Sequence, residues 1–164
     1  MRIIVLVMVL LASGSARADG NNAQIAIAIA SSHDESPGDR NPAERDANRE
    51  TIRQALLAQL KSSPGLTSVA LRGIESRRVD LSVVALDVVE GAHGMELRAA
   101  LRIVISDATG KILAVVTGGA RAEMPRHTYG SRLRSLEKQL LEDAMQGLFG
   151  PLRTHLLRSV RAVS

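Results

Sequence analysis

"VISDATGKILAVV", residues 104–116, sets Thr109-Gly110-Lys111 between two apolar runs. Read as a phosphate loop, it implies a nucleotide-handling α/β fold; read as a turn, it makes its flanks a hairpin. A Walker-type loop needs glycine five residues before the Gly-Lys pair, Ser or Thr after it, and then a helix. Those positions hold Ile105 and Ile112, and the chain continues Leu113-Ala114-Val115-Val116. Asp107 instead suits the start of a turn, and Gly110 supplies positive φ. The stretch is a hairpin turn.

The flanks extend that reading in both directions. Leu97, Ala99, Leu101, Ile103 and Ile105 share one face of a strand, with Arg98 and Arg102 opposite. Residues 112–122 return beside it. Upstream, residues 79–91 are rich in β-branched side chains, and Leu81, Val83 and Ala85 alternate. Leu86 and Val88 then fall on the other parity, so either both faces are covered or a bulge sits near Ala85. "AQIAIAIA", residues 23–30, alternates Ile25, Ile27 and Ile29 with alanine, again a strand. A polar loop with Pro37-Gly38 is expected over residues 31–41, and a short strand over residues 68–72.

Two segments change period. Asn41-Pro42 with Glu44 makes a capping-box start, and Ile52, Leu56 and Leu60 follow at helical spacing. From Ser131, a stripe of Leu133, Leu136, Leu140, Ala144 and Leu148 predicts a second helix. Arg134, Lys138 and Glu142 lie away from that stripe, and Gly150-Pro151 predicts a kink or break before a further piece carrying Leu152, Leu156 and Val160. The order is β-α-β-β-β-β-α. It predicts an α+β two-layer sandwich: a mostly antiparallel sheet of four to five strands with two main helices on one face. This order is similar in outline to small envelope accessory proteins. Examples are the lipopolysaccharide-assembly partner of the outer membrane and the amino-terminal domain of the periplasmic Tol–Pal component. The likeness covers no motif.

Residues 1–18 read as an export signal. Arg2 precedes a ten-residue apolar run, and Ala16-Arg17-Ala18 offers a cleavage site. The run is too short for a bilayer span, which needs about twenty residues. Cleavage after Ala18 leaves a single domain over residues 19–164, with loose ends at 19–22 and 162–164. The expected location is periplasmic or secreted. The chain has no cysteine, so disulfides, thiolate metal sites and the lipid-bearing cysteine of a bacterial lipoprotein are excluded. Two of the four surplus positive charges, Arg2 and Arg17, belong to the leader, so the mature basic bias is mild. Tyr129 and Phe149 are the only aromatics, which argues against base stacking and nucleic-acid partners.

No residue pattern calls for a cofactor or a catalytic set. His33-Asp34-Glu35 puts three metal-capable groups together, but adjacent residues seldom converge on one ion. Neither a G-x-S-x-G elbow nor an H-E-x-x-H motif occurs. Asp80, Asp87 and Glu90 share one strand segment and read as its wet face, with Asp80 expected to answer Arg77 or Arg78. Two features remain as candidate contacts. Gly118-Gly119 marks a bulge or a close backbone approach. Arg153, Arg158 and Arg161 make the C-terminal segment basic, suited to a helix C-terminus or to anionic lipid. The chain is therefore expected to be a non-enzymatic accessory protein that binds another envelope protein through a sheet edge or the helix layer. The alternative is peripheral contact with an anionic envelope surface through the basic C-terminal segment, with no integral membrane span once the signal is cleaved.

Overall fold

Three long strands carry the fold: β4 (Glu75–Gly91), β5 (Gly94–Ser106) and β6 (Ile112–Met124), an antiparallel meander. In the computed structural model, which describes residues 3–9, 25–68, 74–91 and 94–159, they lie in a six-stranded sheet. The register stacks apolar rows across the meander: Leu81, Ile103 and Val116; then Val83, Leu101 and Gly118. A register shift between Val83 and Ala85 restores the phase that the sequence loses there, so Leu86 rejoins the row of Ala99 and Ala120. Leu86 is consequently buried. The bulge reading is the correct one of the two alternatives.

The element order matches the expectation, with one strand added. β2 (Ile25–Asp34) leads into α1 (Pro42–Lys61), then β3 (Leu66–Thr67), the meander and α2 (Gly130–Ser159). The added strand is β1, Ile3–Val9, which lies inside the stretch read as an export signal and pairs with β6. The sheet order is β1-β6-β5-β4-β2-β3. It is mixed: the β1–β6, β6–β5 and β5–β4 pairings are antiparallel as expected, but β2 runs parallel to both β4 and β3. The crossover through α1 sets that direction: a helix returns the chain to the end from which β2 began. The sheet also curls towards a half-barrel, so the expected two-layer sandwich is matched only in part.

Local boundaries shift for identifiable reasons. β2 runs on to Asp34, past the expected loop start, because β4 offers partners as far as Val83. β3 is Leu66–Thr67, and the expected strand at 68–72 falls mostly outside the described residues, as do the expected loose ends. α1 starts with the full capping box: Glu44 N–H donates to Asn41 Oδ1 at 2.9 Å, and Asn41 N–H to Glu44 Oε2 at 3.3 Å. α2 does not break at Gly150-Pro151 but continues as one helix to Ser159. Proline there forfeits one hydrogen bond and crowds the carbonyl four residues back. That carbonyl belongs to Gly147, which has no side chain to add to the crowding. Packing of Leu148, Leu152 and Leu156, all fully buried, holds both halves to the sheet.

α2 lies over β6 and β5, and α1 over β2 and against α2. On β6 the covered face is nearly bare, with Gly118, Ala120 and Ala122, so α2 can approach closely with bulk of its own. That bulk is Leu140, Leu141, Met145 and Leu148, each 2% exposed or less. The core residues run from Ile25 to Leu156. Leu140→Ala is expected to cost about 2–5 kcal/mol, the range for a truncated buried leucine. Lys138→Ala, on the exposed side, is expected to cost less than about 0.5 kcal/mol. Urea melts of the two variants check the contrast; equal small losses would detach α2 from the core.

Candidate functional site

The face of the sheet turned away from the helices is lined row by row. Asp87, Arg98 and Arg121 form one row, and Ala85, Ala100 and Gly119 the next. Small side chains in the second row leave a trough of about 480 Å³, mostly apolar, with Arg98 and Arg121 on one bank and Thr117 towards the other. Arg98 donates to Asp87 at 3.0 Å, and Arg121 lies 3.9 Å from Glu96. The banks are therefore charged but locally balanced. The floor reaches the rim of β6, and there β1 pairs antiparallel over seven residues, from Ile3 opposite Ala122 to Val9 opposite Val116.

Gly118 and Gly119, singled out in the sequence, sit where trough and rim meet. There is no register shift between them, so they do not mark a bulge. A Cβ on Gly119 would come within 2.2 Å of the Ala99 carbonyl oxygen. Gly119 is thus required by the β5–β6 contact itself. Its backbone also faces Leu6 of β1.

The basic C-terminal segment is placed differently. Arg153 is half-buried, with one guanidinium nitrogen 3.4 Å from the Pro64 carbonyl. Leu152 and Leu156 face the core, while Arg158 is exposed. Arg161 and Val160 lie outside the described residues. The apolar side of this segment is spent on packing, and Arg153 and Arg158 are not brought near Gly118-Gly119.

His33, Asp34 and Glu35 diverge. His33 is exposed, and Glu35 accepts from Arg102 at 2.6 Å. The Asp34 side chain is fully buried. It accepts from Ser36 N–H at 2.9 Å, Ser36 Oγ at 2.5 Å and Asn48 Nδ2 at 2.8 Å, with Arg45 at 3.6 Å. Its role is to bind the β2–α1 loop, where Arg45 also donates to the carbonyls of Asp34, Ser36 and Gly38. Among the described residues no three His, Asp or Glu groups converge to hold a metal. The three strand carboxylates are likewise separate. Asp80 accepts from Ser31, not from Arg77 or Arg78; Asp87 takes Arg98, and Glu90 faces Arg126 at 3.5 Å. Arg77 pairs with Glu75 instead.

At the opening turn, Gly110 has φ +89°, and Asp107 Oδ1 accepts from the backbone N–H of Thr109 and Lys111. The Thr109 hydroxyl bond, foremost, lowers the Asp107 pKa. Lys111 is exposed, as the turn reading requires.

No family model matches the chain, and no curated protein matches it in sequence. Solved structures share its fold. Protein XCC0632 from Xanthomonas campestris, of the family model DUF330, superposes with a TM-score of 0.57 at 13% identity, over 84% of this chain and 88% of that one. Protein CT253 from Chlamydia trachomatis gives 0.53 at 11% identity, over 82% and 98%. Lipoprotein GNA1162 from Neisseria meningitidis gives 0.42 at 12% identity, over 76% and 99%. At these identities the first two show a common fold and nothing finer. Among the described residues no helix is long and apolar enough to cross a membrane.

Two measurements probe this region and its support. Gly119→Ala forces the β5–β6 backbones apart and is expected to cost about 1–3 kcal/mol, as overpacking does; a urea melt reads it. His155, on the last turns of α2, has its pKa lowered by burial and then by Arg158. The unfolded chain therefore binds that proton more readily than the folded one. The resulting stability is present above the ordinary histidine value of about 6.5 and is lost as pH falls through the lower folded value. Relative to His155→Gln, the wild type should lose stability on acidification; parallel pH profiles would show that the histidine contributes nothing.

Proposed function

We propose that the protein is an exported, non-enzymatic binding module that receives an extended strand of a partner chain on the edge of β6. One observation carries the reading: β6 already holds an extended apolar segment, β1, over seven residues, and that segment lies within the stretch read as a cleaved leader. Removal of residues 1–18 would leave Val116–Ala122 with open backbone N–H and C=O groups. Such an edge is a template for strand addition. Backbone hydrogen bonds then supply affinity, and pockets beside alternate side chains supply selectivity. The trough along Thr117, Gly119 and Arg121 is such a pocket.

The opposite edge is less suited. β3 covers Ile25 and Ala26, and beyond them β2 shifts register between Ile29 and Ser31 and ends in Ser32, His33 and Asp34. Irregular, polar edges resist pairing. The anionic-surface alternative keeps an exposed Arg158, but Leu152 and Leu156 are in the core and so are not offered to a membrane.

Cleavage between Ala18 and Asp19 is part of the proposal, as is a periplasmic or secreted location. A fluorescent peptide of residues 3–9 is expected to bind the chain 19–164 in an anisotropy titration, and Thr117→Pro, which removes a strand N–H, is expected to weaken it at least tenfold. Binding unaffected by that substitution would place the peptide elsewhere and sink the edge reading.

A further inference from the structure

From the symmetry of the β6 rim we infer that the strand received there is β6 of a second copy, so that the cleaved chain forms a two-fold dimer through its sheet edge. The inference rests on the strand-receiving role of β6. The span held by β1 runs from Val116 to Ala122, and its centre is Gly119. Two copies paired antiparallel about Gly119 set Val116 against Ala122, Thr117 against Arg121 and Gly118 against Ala120. Directly opposed residues then share a face, so the helix layers of both copies lie on one side of a continuous sheet.

The charges favour this pairing. Like charges directly opposite one another destabilise a strand pair. Here Arg121 meets Thr117 of the second copy, and further out Glu123 meets Val115, so neither residue faces its own kind. The residues nearest the axis are glycine and alanine, which let two backbones meet without side-chain collision. An interface of this type uses the same patch on both subunits and closes on itself, leaving no further edge of β6 for a third chain. In the uncleaved chain β1 fills the place of the second copy. Removal of the leader and assembly are thereby linked: the segment that covers the edge is the one that export would take away.

The experiment compares the full chain, residues 1–164 made without export, with the chain 19–164. Sedimentation equilibrium gives their masses, and circular dichroism follows their helix content. The expected result is a monomer for the full chain and a doubled mass for 19–164. Thr117→Lys in 19–164 places two cations against the two Arg121 side chains and should restore the monomer mass with unchanged helix content. Thr117→Glu should retain the dimer and tighten it at low salt. A dimer indifferent to both substitutions, or a 19–164 chain that does not fold, overturns the proposal. A monomeric 19–164 chain that still binds the peptide of residues 3–9 overturns self-pairing but leaves strand reception standing. A chain that neither pairs nor binds overturns both.

Discussion

The close fit of α2 against β5 and β6 is the contact on which the rest of the molecule depends. Of the two aromatics, Phe149 is buried in the core and Tyr129 is exposed, so a single large ring contributes to the filling between sheet and helix. Volume has to come from many aliphatic side chains packed to high density. Between Val116 and Met124, β6 offers only Gly118, Ala120 and Ala122 on that face, so α2 descends onto them and brings Leu140, Leu141, Met145 and Leu148 with it. The continuity of α2 follows from the same demand. A helix that is covered by the sheet along its length can hold a proline that would break an isolated one.

The bareness of β6 also shapes the opposite face. Gly119, needed because the Ala99 carbonyl stands where a Cβ would go, leaves the trough floor empty beside Ala85 and Ala100. The missing side chain at Gly119 opens an apolar groove on one face, while the small residues Gly118, Ala120 and Ala122 admit α2 on the other. Arg98 and Arg121 flank that groove with partners close by, so its character is set more by shape than by net charge. This suits an extended peptide better than a small anion.

The polar residues that look most chemical in the chain hold it together. Asp34, the middle of His33-Asp34-Glu35, has a buried side chain that takes up hydrogen bonds from Ser36 and Asn48. Arg40, in the same loop, donates to the Leu86 carbonyl at 2.6 Å and to Glu137 at 2.9 Å, tying the loop to both β4 and α2. Removing one member of such a buried pair is costly because the other is left without compensation. Function, in this reading, belongs to backbone edges and small residues, which leave little trace as motifs.

Periodicity and turn chemistry were enough to identify β2, α1, the three meander strands and the start of α2, since those signals are local, but they misplaced β3 and broke α2 at Gly150-Pro151. Alternation marks strands, a three-to-four spacing marks helices, and Asp107 with Gly110 marks the turn. The Asn41–Glu44 box and the α2 stripe were readable for the same reason, whereas near Ala85 the lost phase left a bulge and a doubly covered strand both open until the register decided. The tertiary structure alone decided what lies beside what. The parallel pairing of β2 with β4, the curl of the sheet and the burial of Asp34 join residues far apart in the chain, and alternation is the same for either strand direction. Gly118-Gly119 was visible as an oddity, but its cause is the Ala99 carbonyl on another strand. The apolar run at Ile3–Val9 reads equally as leader and as strand, because hydrophobicity records a preference to leave water and not the surface that will receive it. Its seat on β6 comes from an edge that local sequence does not specify.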